Sequence, residues 1–444
     1  MRVIIKYIFF IIIISTKIFS QDVDTLRDTN AESISRLYYI ADIKIIGNKL
    51  TNEKVILREM QIKTGSIASD DLIRYDESRI LSLGLFSQVN LLLVPVDTGF
   101  QLVVLVEEAW YIWPVPIFEI RERDWKKLSY GLGLTVRNLT GMNETLFLGG
   151  VLGYDPWVSM DYTHPWIHEE LHLTMQGKTS FIKRKNKSRR SITNSQNYTE
   201  DVFFSEINFG KKFGIFHEVN LTAGFQYIKV PEYQPGRTVS TAGIDRNIYT
   251  AIKYRFDTRD FNVYPNSGSF LGIAYQKQGM GESEVNYHVA ALDFRKYIQL
   301  SKFIFGMRNA IRTVIGSVIP NYANSFIGFD ERIRGLYYDY FEGHTSLVSS
   351  FEFRFPFIRN EIVAFDFPLI PKELLTYNIL LDFHLFFDAG LIWFNSQDWK
   401  QQKMIKGFGA GFSIVILPYK SLKIDLGLDE KLSPQFILDI SSAF

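Results

Sequence analysis

The last nine residues constrain this chain more than any others. Phe436-Ile-Leu-Asp-Ile-Ser-Ser-Ala-Phe444 alternates apolar with small or polar side chains and stops on an aromatic. Phe436, Leu438, Ile440 and Phe444 fall on one face of such a strand; Ile437, Asp439 and Ser441 fall on the other. In water, a chain-ending strand with an exposed aromatic face invites aggregation. In a bacterial outer membrane it suits the closing strand of a barrel, its aromatic at the lipid–water boundary.

The same alternation recurs from Trp110 onward. Phe203, Ile207 and Phe209 alternate with Glu206 and Asn208, and Ile252, Tyr254 and Phe256 with Lys253, Arg255 and Asp257. Phe351, Phe353 and Phe355 alternate with Glu352 and Arg354, and Leu422, Ile424, Leu426 and Leu428 with Lys423 and Asp425. A soluble sandwich would not expose aromatic faces on so many strands that carry charges on the other face. About sixteen candidate strands are spaced by turns, an even number as single-chain bacterial barrels require. Aromatics make up 15% of the chain while mean hydropathy is −0.01, which suits strands that are apolar toward lipid and polar toward a lumen. The expected fold is mainly β: a sixteen-stranded antiparallel transmembrane β-barrel over residues 110–444. A net charge of +1 gives no steering toward nucleic acid, and the lack of cysteine excludes disulfides and thiolate metal sites.

Ahead of the barrel the pattern differs. Arg2 and Lys6 precede an apolar run from Tyr7 to Ile14, which reads as a signal peptide over residues 1–20 cut near Ser20. The alternative, an uncleaved anchor helix, needs roughly 20 apolar residues, and the run is shorter. No later stretch is long and apolar enough for a membrane helix, so only a closed barrel could span. Residues 21–38 read as a polar linker. Residues 39–109 read as a small α+β domain: a strand over Ile40–Ile46 ending at Gly47-Asn48, helices over Asn52–Met60 and Ser69–Leu83, then a hairpin of Val89–Val94 with Phe100–Val106. The order is β-α-α-β-β.

One enzyme motif is present. His168-Glu-Glu-Leu-His172 matches HExxH, whose zinc chemistry needs both histidines on one helix face. Pro165 and Trp166 precede it and Leu171, Leu173 and Met175 alternate after it, so the two histidines are expected to straddle a hairpin turn, with no third ligand evident. GxSxG, P-loop and Cys/His patterns are missing. No catalytic residue, metal or cofactor is therefore expected. The basic run Lys183–Arg190 reads as a solvated external loop rather than a polyanion site.

Charges destined for the lumen carry more information. Asp382, His384 and Asp388 share one face of a strand opposite Phe383, Leu385 and Phe387, and Glu352 and Arg354 share the inward face of the strand before it. Buried carboxylates need a cationic partner. A long loop over residues 319–346 carries Arg332 and Arg334, with Gly335 next, and a guanidinium bridges two carboxylates with bidentate geometry. Arg334 is expected to enter the lumen and pair with Glu352 and Asp388; the alternative leaves it in an exposed loop.

These residues resemble the BamA/TamA-type outer-membrane assembly barrels. Ile333-Arg334-Gly335-Leu336 is similar to their V/I-R-G-F/Y loop motif, and Glu352 and Phe387-Asp388-Ala389-Gly390 to the acidic positions of the following strands. Asp257-Thr-Arg259-Asp260, with Pro265 and Gly268, is similar to a D-x-R-D…P-x-x-G segment, and Asn138-Leu-Thr-Gly141 to an N-x-x-G turn. Gly47-Asn48 and Gly84-Leu-Phe86-Ser-Gln-Val89 resemble the marks of one POTRA domain. The resemblance implies a barrel plugged by the Arg334 loop, with a weak lateral seam between first and last strands through which clients pass. It implies localisation in the outer membrane with the POTRA domain in the periplasm. The partners implied are unfolded outer-membrane or secreted client proteins and outer-membrane lipid, with accessory lipoproteins as an open addition. Leu336 departs from the usual aromatic, and one POTRA domain is fewer than such barrels usually carry.

The seam has a signature of its own. Pro114 and Pro116 lie in the candidate first strand, and each lacks a ladder donor. They weaken pairing along one edge, facing Gln435–Phe444, unless both precede the wall. The leading functional expectation is an assembly, insertion or translocation factor. The alternatives are a two-partner-type secretion pore exporting a dedicated partner protein, a passive porin and a zinc protease.

Overall fold

The structure is a computed structural model and describes residues 36–120, 125–190, 198–281, 284–329, 331–336, 339–364, 376–397, 399–417 and 420–441. The expected signal peptide, most of the linker and Phe444 lie outside the described residues.

The N-terminal module contains β1 (Leu37–Ile46), α1 (Glu53–Leu57), β2 (Ile67–Ser69), α2 (Asp70–Leu81), β3 (Phe86–Val96) and β4 (Gly99–Glu108). Asn52 starts α1 by accepting from the Lys54 N–H, and Ser69 starts α2 by accepting from the Leu72 N–H. Asp70 and Asp71 sit in the first turn of α2, where negative charge complements the helix dipole. The sheet runs β2-β1-β4-β3, with β1 parallel to β4 and the β3–β4 hairpin antiparallel. The helices cover it by burying Val55, Ile56, Ile73 and Ile80 against Ile40, Leu85, Leu102 and Val104. The expected element order lacks β2, a three-residue strand paired antiparallel to the start of β1; a strand that short carries no readable alternation.

Sixteen strands form the wall. The first eight are β5 (Ile112–Ile120), β6 (Leu128–Arg137), β7 (Thr145–Gly153), β8 (Trp157–His168), β9 (Leu173–Lys185), β10 (Thr199–Phe213), β11 (His217–Lys229) and β12 (Ile244–Asp257). Then follow β13 (Gly268–Met280), β14 (Tyr287–Leu300) and β15 (Phe303–Gly316). The short strands β16 (Ser325–Ile327) and β17 (Phe341–Gly343) pair with each other in the long loop. The wall resumes with β18 (Thr345–Ala364), β19 (Thr376–Trp393), β20 (Ile405–Leu417), β21 (Lys420–Asp429) and β22 (Pro434–Ser441). Each wall strand pairs antiparallel with its neighbour, and β5 and β22 stand at the two ends of the strand order. No helix among the described residues is long and apolar enough to cross a membrane.

The faces divide by chemistry. Leu132, Leu152, Leu221, Phe353, Leu385, Phe436 and Leu438 project outward and exposed, while Asn208, Glu352, Arg354, Asp382, His384, Asp388 and Asp425 are buried inside. His168 ends β8, residues 169–172 form the turn, and β9 opens at Leu173 opposite His168, so the HExxH residues occupy a hairpin rather than one helix face.

Candidate functional site

The expected luminal residues meet around the Arg334 side chain. From the loop between β15 and β18, its Nε and Nη2 donate to Asp388 Oδ2 and Oδ1, both at 2.8 Å, and its backbone N–H adds a third bond to Oδ2 at 3.0 Å. Nη1 donates to Glu352 Oε2 at 2.8 Å. Asp388 belongs to β19 and Glu352 to β18, so one planar group ties the loop to two adjacent strands. The guanidinium also stacks on Phe386, its carbon 3.9 Å from the ring centroid. Of the two loop arginines, Arg334 is the one that pairs with Glu352 and Asp388 of the wall.

Gly335 explains how the loop comes so close. It has φ of 101°, and a Cβ there would overlap the Leu428 carbonyl. On the wall side, a Cβ on Gly407 would overlap the Arg334 carbonyl, and one on Gly427 would meet the Gly335 nitrogen. Glycines on β20 and β21 thus open a seat for the loop tip.

The cluster continues past Glu352. Arg354 Nε donates to Glu352 Oε1 at 2.8 Å, and Lys423 Nζ lies 3.3 Å from Oε2. Asp425 lies 3.9 Å from Arg334, and its Oδ1 is 2.8 Å from His384 Nε2. Three cations (Arg334, Arg354, Lys423) therefore offset three carboxylates (Glu352, Asp388, Asp425), which a buried ionic group requires.

Arg354 then links the cluster to a turn between two other wall strands. Its Nη1 donates to the Pro265 carbonyl at 2.8 Å, and its guanidinium lies over Tyr264 and Tyr297 at 4.2 and 5.3 Å. Pro265 belongs to the β12–β13 turn. Asp257 holds Arg259 through two bonds of 2.8 and 2.7 Å, and Asp260 Oδ1 accepts from the N–H groups of Phe261, Asn266 and Ser267. Gly268 closes the turn at φ of 100°. Phe261 and Tyr264 pack beneath Leu81 of α2 and against Val415. So Asp257, Arg259, Asp260, Pro265 and Gly268 build a turn that enters the barrel from the module end and meets the Arg334 loop through Arg354.

A second loop anchor carries no sequence signal beyond alternating charges. Arg308 of β15 binds Glu331 of the loop at 2.6 and 2.7 Å and Asp293 of β14 at 2.9 Å. The basic run departs from the solvated loop expected. Lys187, Arg189 and Arg190 stack on Phe329, Tyr340 and Phe394 at 4.8, 4.0 and 3.4 Å, and Glu342 accepts from the Arg189 N–H. Asn186 and Ser188 are buried, so the segment packs on the β15–β18 loop rather than standing in solvent. Loop aromatics spaced for this contact are recognisable only once the loop conformation is known.

At the module end, Asn138 Nδ2 donates to Thr51 Oγ1 at 2.9 Å, which also bonds the Tyr111 hydroxyl, and the Asn52 N–H donates to the Gly141 carbonyl. The N-x-x-G turn thus clamps the module to the wall. Lys54 pairs with Glu169 of the β8–β9 turn at 2.8 Å.

The hydrogen-bonding phase of β5 fixes which way its two prolines face. Pro114 and Pro116 lie within β5, opposite Leu134 and Leu132, so they do not precede the wall. The Arg137 N–H donates to the Tyr111 carbonyl. In an antiparallel ladder successive residues bond to opposite sides, so odd-numbered residues of β5 bond toward β6 and even-numbered ones face the outer edge. Both prolines therefore remove donors from the edge that faces β22 while the β6 ladder stays complete. Across that edge, Phe436 and Leu438 of β22 are exposed and Ile437 is buried. Among the described residues no ladder joins β5 to β22.

Two family models match the chain. Residues 38–109 match the POTRA model, described as a surface antigen variable number repeat, and residues 138–444 match the Omp85 superfamily domain. Among solved structures, BamA from Haemophilus ducreyi lacking POTRA domains 1–3 superposes with a TM-score of 0.52 at 17% identity, covering 91% of this chain and 83% of that one. CdiB from Escherichia coli gives 0.55 at 12% identity, covering 90% and 75%. CdiB from Acinetobacter baumannii gives 0.50 at 13%, covering 91% and 73%.

Proposed function

The chain belongs to the Omp85 superfamily, and from that premise we propose that it inserts client proteins into the outer membrane at the edge between β5 and β22. Members of this superfamily are outer-membrane barrels that insert or translocate client proteins and are not, in general, enzymes. In this reading the POTRA module lies in the periplasm and presents β1 or β3 to an incoming extended segment, a known mode of peptide recognition.

The observation that carries the reading is the edge chemistry. Pro114 and Pro116 strip donors from the outer edge of β5 alone, which lowers the cost of separating it from β22. The lumen favours the same route. The Arg334 loop is pinned at Asp388, Glu352 and Arg308, and the Lys187–Arg190 segment lies over it. A chain crossing through the centre has to break these contacts; one entering at the wall does not.

A secretion pore exporting one partner protein is the second reading. A luminal cavity of about 690 Å³, lined by charged residues of both signs such as Lys212, Lys253, Arg312, Glu218 and Asp293, favours it. Depletion of the protein in its native cell, with quantitative proteomics of isolated outer membranes, separates the two. A fall in many barrel proteins supports insertion; loss of a single exported protein with the barrels unchanged rejects it in favour of the pore.

A further inference from the structure

The outward face of the wall is not uniform at the end away from the module. The module touches the β8–β9 turn through Lys54 and Glu169, so β9 runs away from it and ends at Lys185. Outward residues of neighbouring strands stand in line. Lys183 lies opposite Asp201, and Asp201 opposite Lys229. The next outward row runs Phe181, Phe203, Tyr227, Arg246. Lys277 of β13 lies opposite Thr250 of β12 on the same side. That this side faces outward follows from Phe181, Leu221, Phe225 and Ile248, which are exposed, while Asn208, Thr222 and Asn247 on the other side are buried.

Lys183, Lys185, Lys229, Arg246 and Lys277 therefore gather at the far ends of β9, β11, β12 and β13, above an apolar and aromatic face. Asp201 of β10 is the carboxylate among the described outward residues of these strands, 4.0 Å from Lys183. Lys185 donates to the Thr199 hydroxyl at 2.9 Å, Lys277 to the Asn286 side-chain oxygen, and Arg246 lies over the Tyr227 ring at 5.6 Å. These contacts are with neutral groups and leave the charges in place. Glu232 and Glu284 stand exposed in the loops beyond β11 and β13. Near the same end of other strands the outward positions are apolar: Phe118 of β5, Leu152 of β7, Ile315 of β15 and Phe436 of β22 are exposed. Lys406 of β20 interrupts them and has Glu430 nearby. The cations are thus collected on one side of the barrel rather than spread around its rim.

We propose that this side of the wall binds a lipid whose headgroup carries two phosphates. Lys183 and Lys185 take one phosphate, and Lys229, Arg246 and Lys277 the other. The acyl chains lie along Phe181, Phe225 and Ile248. Basic clusters at a membrane surface recognise anionic headgroups, and aromatic girdles mark the level at which headgroups meet a barrel. Asp201 sets the preference for two phosphates. It repels an anion placed directly before it, whereas phosphates to either side avoid it and engage both sets of cations. From β9 to β12 is three strand spacings, about 14 Å. In the reading that places the module in the periplasm, this rim meets the outer leaflet, so the lipid is one of that leaflet.

The test uses the full chain in a non-ionic detergent, with diphosphoryl lipid A, monophosphoryl lipid A and phosphatidylcholine each titrated and retention read by native mass spectrometry. Diphosphoryl lipid A is expected to be held at least tenfold more tightly than either of the others. Lys229→Gln with Arg246→Gln is expected to lower its retention at least tenfold, and Lys406→Gln to leave it unchanged. Heat-modifiable migration checks that each barrel is intact. Equal retention of monophosphoryl lipid A or phosphatidylcholine, no loss in the double variant, or an equal loss in Lys406→Gln overturns the proposal. So does equally tight binding of soluble tripolyphosphate, which marks a polyanion site that needs no lipid. Retention is read without any client, so its failure leaves the insertion reading standing, and a failure of insertion leaves the lipid site.

Discussion

The module and the barrel are built from the same alternating strands and turn opposite faces inward. In the module, Ile40, Ile56 and Leu102 have no exposed surface. In the barrel, Glu352, Arg354 and His384 have none, while Leu385 is 44% and Phe436 63% exposed. Period-two patterning states which residues share a face; the solvent decides which face is inside. The module is held by apolar burial, which is non-directional and tolerates repacking. The barrel interior is held by ion pairs, which fail when one partner is removed.

The difference can be tested by the same kind of truncation in each region. Arg334→Ala leaves Asp388 buried without its bidentate partner, and removal of one member of such a pair costs about 3–5 kcal/mol. Its expected outcome is a folded barrel with a loop newly open to added protease near residues 329–336, and reduced client insertion; a loop as protected as before, with full activity, would break the comparison. In the module, Leu102→Ala empties part of a packed core and is expected to cost about 3 kcal/mol. Denaturant unfolding of the full chain should show the module transition moving to lower concentration while the barrel transition stays in place.

How much of this was legible differs by region for the same reason. Wall strands and luminal charges are visible because Glu352, Arg354, Asp382, His384 and Asp388 repeat a local period of two. The Arg334 partnership was suggested by unpaired carboxylates on adjacent strands and by the resemblance of Ile333-Arg334-Gly335. Contacts that depend on loop conformation were not visible. Glu331 meets Arg308 across 23 positions, and the seat made by Gly407 and Gly427 exists only because Gly335 arrives there. The basic run looked solvated because its aromatic partners, Phe329, Tyr340 and Phe394, are far along the chain. The direction in which Pro114 and Pro116 lack donors required the hydrogen-bond phase of β5, which alternation alone leaves undetermined.

On the outer face the comparison makes a smaller prediction. Leu385→Lys places a charge where the barrel meets lipid, at a cost of about 2 kcal/mol depending on depth. The same lysine in detergent, where the surface is more adaptable, is expected to cost less, so urea stability measured in bilayers and in detergent should diverge. Equal costs in both media would mean that Leu385 does not face the hydrocarbon.

An energy change no larger than this concerns the edge, and it has the clearest functional reading. Pro114→Val with Pro116→Val restores two backbone donors on the side of β5 that faces β22. β5 and β22 share no ladder among the described residues, so the gain comes from pairing that the new donors make possible: each one that bonds to β22 contributes about 1 kcal/mol, and β-branched residues suit a strand. The barrel is therefore expected to gain about 2 kcal/mol of stability and to insert clients more slowly, because the edge that must open is better paired. A one-sided control is available: Leu132 and Leu134 lie opposite the prolines on β6, and changing them to valine alters the packing of the same strands without adding a donor at the outer edge. If the double proline variant is more stable and just as active, clients do not pass between β5 and β22, and the luminal route becomes the better account.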